Sequence, residues 1–157
     1  MNRYDPPSDF LKFLIEDDAS LSGDDADANL RRLISLTRDE HPANRDWATL
    51  ILAQQDADTS KVRQALLTAA DDENEYVRAE AILGLAQRDR ASALPFLQRE
   101  LGGDHLALPL FEAAALVADA SLIENLRAFA NPSGDALMDE IATKALEACE
   151  AAQGMPD

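Results

Sequence analysis

Apolar residues recur at helical spacing along most of the chain. Val62, Ala65, Leu66 and Ala69 fall at positions i, i+3, i+4 and i+7, and the same pattern returns from Leu110. This spacing places apolar side chains on one face of a helix. With the turn residues between these stretches, the pattern predicts helices over 8–16, 25–37, 42–54, 59–70, 75–87, 91–101, 106–118, 120–130 and 135–151.

Local signals at the ends of these segments agree with the division. Pro42 and Pro95 suit the first turn of a helix, and Asp72 is placed to cap the helix that follows it. The segment Ser121-Leu-Ile-Glu124 has the spacing of a capping box.

The helices belong to a repeat of about 33 residues. Shifting the chain by that length places Asp39 over Asp72 and Arg45 over Arg78. A third copy begins at Asp104, a weaker copy begins near residue 135, and a partial copy opens the chain. Each copy is predicted to be a pair of helices, which we term A and B in chain order, so the sequence indicates stacked helical hairpins.

Two successive copies of the repeat contain an aspartate followed six residues later by an arginine, Asp39 with Arg45 and Asp72 with Arg78. In stacked repeats these pairs would align, and each guanidinium could donate to carboxylates and loop carbonyls. The third copy has Leu110 in place of the arginine, so the series should end there. We term this predicted structural series the Asp–Arg ladder, and it comprises Asp39, Arg45, Asp72, Arg78 and Asp104.

The second copy resembles a known family. Asp71-Asp72, then Val77-Arg78, then Ala81 and apolar residues at core spacing are similar to HEAT-like repeats of the short bacterial kind, grouped with phycobilisome-lyase HEAT-like repeats. The resemblance implies an all-α fold, a right-handed α-solenoid of four to five HEAT-like hairpins. We expect a single domain with three parts: an N-terminal cap segment (1–24), core repeats (25–134) and a C-terminal capping helix with its tail (135–157).

Composition limits the class of partner. Thirty acidic and 14 basic residues give a formal charge of −16, which repels phosphate backbones and anionic lipid. No apolar run approaches the ~20 residues that span a bilayer, and the N-terminus lacks the pattern of a signal peptide. With Cys149 as the single cysteine, these features predict a cytoplasmic protein that binds neither nucleic acid nor membrane.

Basic residues concentrate on the predicted B helices, which together with Arg38, directly after the first of them, hold seven of the 14 bases and four of the 30 acids. The resemblance implies that these helices line the concave face of the solenoid. One interpretation is a surface that docks an acidic segment of another protein or a nucleotide-like anion; the alternative is ordinary solvated helix charge. The candidate contacts are Arg31, Arg32, Lys61, Gln64, Arg99 and Arg127.

Trp47 is unusual for its position, because its equivalent in the next repeat is the polar Glu80. Either the N-terminal helix covers it, using Phe10, Leu11 and Phe13, or it is a surface hot spot for a partner. We favour covering by the N-terminal helix.

The sequence gives little support for a catalytic or metal-binding site. His41 and His105 follow repeat acids, but neither forms the His-Glu pair with which some HEAT-like enzymes bind iron. The acidic run from Asp17 to Asp27 lacks calcium-loop spacing. We therefore expect no catalytic residue, no metal and no cofactor.

The predicted function is a non-enzymatic protein-interaction module or scaffold whose partner is another protein, with weak homodimerisation through the solenoid ends left open. Two alternatives remain: an accessory or lyase-like cofactor-handling protein, and an acidic neutraliser of a basic protein.

Overall fold

The computed structural model describes residues 6–16, 21, 24–103, 106–129 and 134–154, and these form helices and their connections. Most helix ends lie within two residues of those predicted from the pattern. The exception is the segment predicted over 120–130, which is a 3₁₀ turn continued by a short α-helix. The helices are α1 (Asp9–Glu16), α2 (Ala26–Leu36), α3 (Pro42–Gln54), α4 (Ser60–Ala69), α5 (Glu75–Arg88), α6 (Arg90–Glu100), α7 (Leu108–Val117), the 3₁₀ turn Ala120–Leu122 with α8 (Ile123–Arg127), and α9 (Ala136–Gln153).

Side chains cap most of the helix starts. Thr59 accepts a hydrogen bond from the Val62 amide at the start of α4, and His41 accepts one through Nδ1 at the start of α3, where Pro42 occupies the first position. Asp135 caps α9 in the same way. These bonds satisfy amides that have no partner within the helix.

Three local predictions were wrong. The α5 amides are capped by Asn74, whose Oδ1 accepts from Tyr76 and Val77, and Asp72 instead accepts from the Asn74 amide. Asp119, rather than a capping box at 121–124, accepts the Ser121 amide at 2.8 Å. Pro95 lies inside α6, where its ring nitrogen cannot donate to the preceding turn.

Contacts divide the chain into two compact units, Met1–Ala81 and Ile82–Asp157. In the first unit α1, α2 and α4 all contact α3. The predicted apolar face of α4 is buried as expected, with Val62 and Leu66 fully inaccessible, and Leu33 and Leu52 are equally buried on α2 and α3. The small side chain of Ala48, also fully buried, lets a neighbouring side chain or helix approach α3 closely.

In the second unit α9 packs against α7 and α8, and α6 packs against α7. Ala113 on α7 and Ala145 on α9 are completely buried, in keeping with close packing of these helices. The Phe111 and Phe129 rings meet edge to face with centroids 5.5 Å apart, and Cys149 Sγ lies 3.8 Å from the Ala114 carbonyl oxygen. These contacts form the core of the unit.

Candidate functional site

The Asp–Arg ladder joins two successive loops of the first unit through Arg45. Its Nε donates to Asp72 Oδ2 at 3.0 Å and its Nη2 to Asp72 Oδ1 at 3.4 Å, while Nη1 donates to the Asp39 and Glu40 carbonyls. Glu73 adds a longer ion pair at 3.5 Å. Since the Arg45 and Asp72 side chains are 10% and 12% exposed, this pair is a largely buried link between repeats.

Arg78 repeats half of this arrangement. Its Nη1 donates to the carbonyls of Asp72 and Glu73, six and five residues before it. Asp104, the next predicted member, lies outside the described residues. Arg45 and Arg78 thus make the same kind of contact with the loop carbonyls before them, and the structural role of the whole ladder stays a prediction.

Asn44 is a buried ladder neighbour that the sequence interpretation missed. Its Nδ2 donates to Asp39 Oδ2 at 2.9 Å, and its Oδ1 accepts from the Ser8 amide just before α1. The Asn44 hydrogen bond, with one from the His41 amide, holds the pKa of Asp39 below its ordinary value. The only signal of Asn44 in the sequence was its place in a run of three polar residues, Asn44-Arg45-Asp46, in the first turns of α3.

The exposed face of α4 carries two candidate contacts. Lys61, Gln64 and Thr68 are exposed at i, i+3 and i+7, so they form one stripe opposite the buried face. Arg63, at the edge, pairs with Asp58 at 2.6 Å. No acidic residue lies within α4, so this stripe is basic and polar.

Arg31 and Arg32 are both exposed on α2. Arg32 also has an intramolecular contact that the sequence did not predict, since its guanidinium carbon lies 4.4 Å from the centre of the Phe10 ring of α1. Such cation–π contacts orient a guanidinium without neutralising it. Arg32 therefore keeps its charge available at the surface.

The remaining two candidates, Arg99 and Arg127, lie in the second unit and are exposed. Arg99 stacks over Phe96 at 5.3 Å and pairs with Glu100 at 3.5 Å. With the observed helix bounds, α2, α4, α6 and α8 hold seven basic and three acidic residues. The charge asymmetry expected for the B helices is therefore present along the chain, although its role in binding stays a prediction.

Trp47 is buried, with 7% of its surface exposed. The helix that carries it contacts α1, whose Phe10, Leu11 and Leu14 are buried. Phe13 was expected to take part in this covering, but it is 48% exposed. Phe13 is on the outer side of α1, because the buried residues at 10, 11 and 14 define the opposite face.

Among the described residues, the histidine lies at a helix start and the cysteine lies in the core. His41 caps α3, and His105 lies outside the described residues. Within the described ranges no three His, Cys, Asp or Glu side chains form a metal-binding group. Cys149 is buried, and burial raises the pKa of its thiol, which makes it a poor nucleophile.

No helix within the described ranges combines the length and the apolar character that crossing a membrane requires.

Known proteins resemble this chain over most of its length. The family described as HEAT repeats matches residues 30–118. Protein YibA of Escherichia coli K12 is 31% identical over 120 residues, and YibA of the O157:H7 strain gives the same values; each alignment covers 76% of this chain and 42% of the relative. The X-ray structure of the Escherichia coli YibA protein matches with a TM-score of 0.64 and 30% identity, covering 78% of this chain and 44% of that one.

The chain thus spans less than half the length of these relatives. The family match and the structural likeness confirm the predicted all-α solenoid class of fold. The chain therefore belongs to the HEAT-repeat family.

Proposed function

We propose that this chain is a non-enzymatic protein-interaction module that docks an acidic segment of a partner on its B helices. HEAT repeats generally mediate contacts between proteins. The observation that carries the finer proposal is the exposed stripe of Lys61, Gln64 and Thr68 on a helix without acidic residues, in a chain of charge −16. Arg31 and Arg32 on α2 extend the same character within the first unit.

Local charge rather than net charge governs such docking. At physiological ionic strength the Debye length is about 8 Å, so a bound carboxylate is influenced mainly by the side chains beside it. An exposed pair at contact distance contributes about 0–1 kcal/mol. Several such pairs, together with hydrogen bonds from Gln64 and Thr68, would give a weak but specific interface on a preformed surface.

Charge reversal on α4 tests the proposal with a labelled polyglutamate peptide as probe and fluorescence anisotropy as readout. Lys61→Glu should weaken binding about fivefold, equivalent to about 1 kcal/mol. The matched control is Lys144→Glu, which makes the same charge change at a lysine that is 65% exposed on α9. If both variants weaken binding equally, the peptide senses only net charge and the docking site on α4 is refuted.

A second candidate function rests on the excess of 30 acidic over 14 basic residues: neutralisation of a basic protein. A labelled polylysine peptide should then bind more tightly than polyglutamate, with an affinity that falls steeply as salt rises. Binding of polylysine that does not respond to salt would contradict this candidate. We further propose a cytoplasmic setting, which the free thiol of Cys149 fits because oxidising compartments favour disulfides.

A further inference from the structure

The helix α1 is a small element that packs on α3. It has eight residues, and its main contacts are with α3. Its buried side chains are Phe10, Leu11 and Leu14. Phe13 and Ile15, on its outer side, are 48% and 41% exposed. Because isolated helices shorter than about 12–15 residues are marginal in water, the helical state of α1 depends on its contact with the rest of the first unit.

One face of α3 receives α1. Asn44 Oδ1 accepts a hydrogen bond at 3.0 Å from the amide of Ser8, the residue directly before α1. Trp47 and Ile51 follow Asn44 at i+3 and i+7, so the three side chains lie on the same face of α3. Each of them is only 7–8% exposed in the presence of α1. We term the face made by Asn44, Trp47 and Ile51 the α1 seat.

Trp47 makes this seat more apolar than the equivalent surface of the next repeat. The residue one repeat after Trp47 is Glu80, on α5. The repeat therefore does not require a large apolar side chain at this position. In this chain the extra apolar surface of α3 is matched by the buried side of α1, which indicates a surface made to bind a helix.

We propose that α1 is a replaceable cover, and that the α1 seat binds an amphipathic helix of another protein in its place. The incoming helix needs apolar residues at the spacing of Phe10, Leu11 and Leu14, the set that α1 itself buries. A longer helix of this kind can displace α1, because each added turn supplies contacts and hydrogen bonds that eight residues cannot make. A second copy of this chain offers only the same short helix, so exchange between copies adds no contact.

The α1 seat is separate from the exposed stripe on α4, since it lies on another helix and is recognised through apolar contacts rather than charge. Lys61→Glu should therefore leave it unchanged. Failure of either proposal leaves the other standing.

Trp47 provides the readout, because it is the single tryptophan of the chain. Leu11→Ala with Leu14→Ala removes buried surface from α1 and keeps a high helix propensity. The Trp47 emission of this double variant should shift to longer wavelength as the cover opens. A synthetic peptide of residues 6–16, added in trans, should restore the emission with one saturable affinity.

Competition by α1 predicts how affinities compare. By fluorescence anisotropy, the labelled 6–16 peptide should bind the double variant about tenfold or more tightly than the unmodified chain, in which α1 occupies the seat at high effective concentration. A designed peptide that carries the same apolar spacing over about 18 residues, or about five turns, should bind the unmodified chain as well.

Phe13→Ala with Ile15→Ala is the matched control, since it removes two apolar side chains from the exposed side of the same helix. Its emission and its affinity for the peptide should equal those of the unmodified chain. If the emission of the double variant at 11 and 14 does not shift, something other than α1 covers Trp47 and the proposal is overturned. A shift that the peptide fails to reverse would also overturn it.

Hydrogen exchange of the unmodified chain tests the same opening without a substitution. The amides of α1 should exchange about a hundredfold or more faster than the buried amides of α3, through a local opening that leaves α3 folded. Equal protection of α1 and α3 would place α1 in the cooperative core and overturn the proposal, even if the double variant does not fold. A dimer that forms by exchange of α1 in sedimentation analysis would make a second copy the occupant, which overturns the assignment to another protein.

Discussion

Replacing Asp72 by asparagine removes the charge from the ladder while keeping its shape. The carboxylate accepts two bonds from Arg45 and one at 2.8 Å from the Asn74 amide. An asparagine oxygen can keep the Asn74 bond and one guanidinium bond, but its amide nitrogen then faces a second donor. Arg45 still donates to the carbonyls of Asp39 and Glu40, so its guanidinium keeps two of its hydrogen bonds.

The loss should be about 2 kcal/mol of unfolding free energy. One charge-assisted hydrogen bond contributes about 1.5–3 kcal/mol, and breaking a fully buried pair costs about 3–5 kcal/mol. The range for one charge-assisted bond applies, because Arg45 keeps its bonds to the loop carbonyls and the Arg45 and Asp72 side chains are 10–12% exposed. For a chain of this length, 2 kcal/mol lowers the melting temperature by about 4–8 °C. Asp72→Ala, which also loses the Asn74 bond, should cost about 3 kcal/mol.

Asp58→Asn is the matched control for the Asp72 variant. Asp58 pairs with Arg63 through the same Nε atom at 2.6 Å, but the two side chains are 37% and 40% exposed. Water and salt screen this pair, so its loss should cost about 0–1 kcal/mol. Urea unfolding followed by circular dichroism gives both values. Equal losses for Asp72→Asn and Asp58→Asn would refute the claim that burial makes the ladder strong.

Three further predictions concern buried or perturbed groups. Thr49 Oγ1 is buried with no hydrogen-bond partner among the described residues. Thr49→Val should therefore raise the unfolding free energy by about 1 kcal/mol. A lower melting temperature for this variant would show that the hydroxyl is bonded. Hydrogen bonds from the Ser121 side chain and amide lower the pKa of Asp119. The contribution of this carboxylate to the free energy of unfolding is therefore full above its ordinary pKa of about 4 and is lost as pH falls below it. Asp119→Asn should therefore flatten the acid limb of a stability-against-pH curve, and an unchanged limb would contradict this cause. Burial raises the pKa of Cys149, so the contribution of the buried thiol to the free energy of unfolding is full below the ordinary thiol pKa and is lost as pH rises above it. The native thiol should react with a disulfide reagent far more slowly than the urea-unfolded thiol. Equal rates would contradict its burial.

Hydrophobic periodicity was sufficient to locate the helices. The apolar positions of α4 recur at helical spacing, and burying them on one side is the response of an amphipathic helix in water. The repeat of Asp39 and Arg45 at 72 and 78 likewise predicted that guanidinium groups would bond carboxylates and loop carbonyls, because stacking aligns the equivalent residues of successive repeats.

Several features of the candidate site needed the folded chain. Choosing Asn74 over Asp72 as a cap depends on backbone angles at the helix start, which residue types alone do not fix. The position of Phe13 on the outer side of α1, and of Arg32 over Phe10, depends on how α1 rotates as it packs on α3.

Sequence by itself determined the helices, the repeat and the charge of each helix, since these follow from the order of residue types along a short stretch. Tertiary structure decided which carboxylate meets which guanidinium and which aromatic side chains are covered. The physical reason is that periodicity and charge are local properties, whereas burial and pairing depend on the distances between residues that the fold brings together.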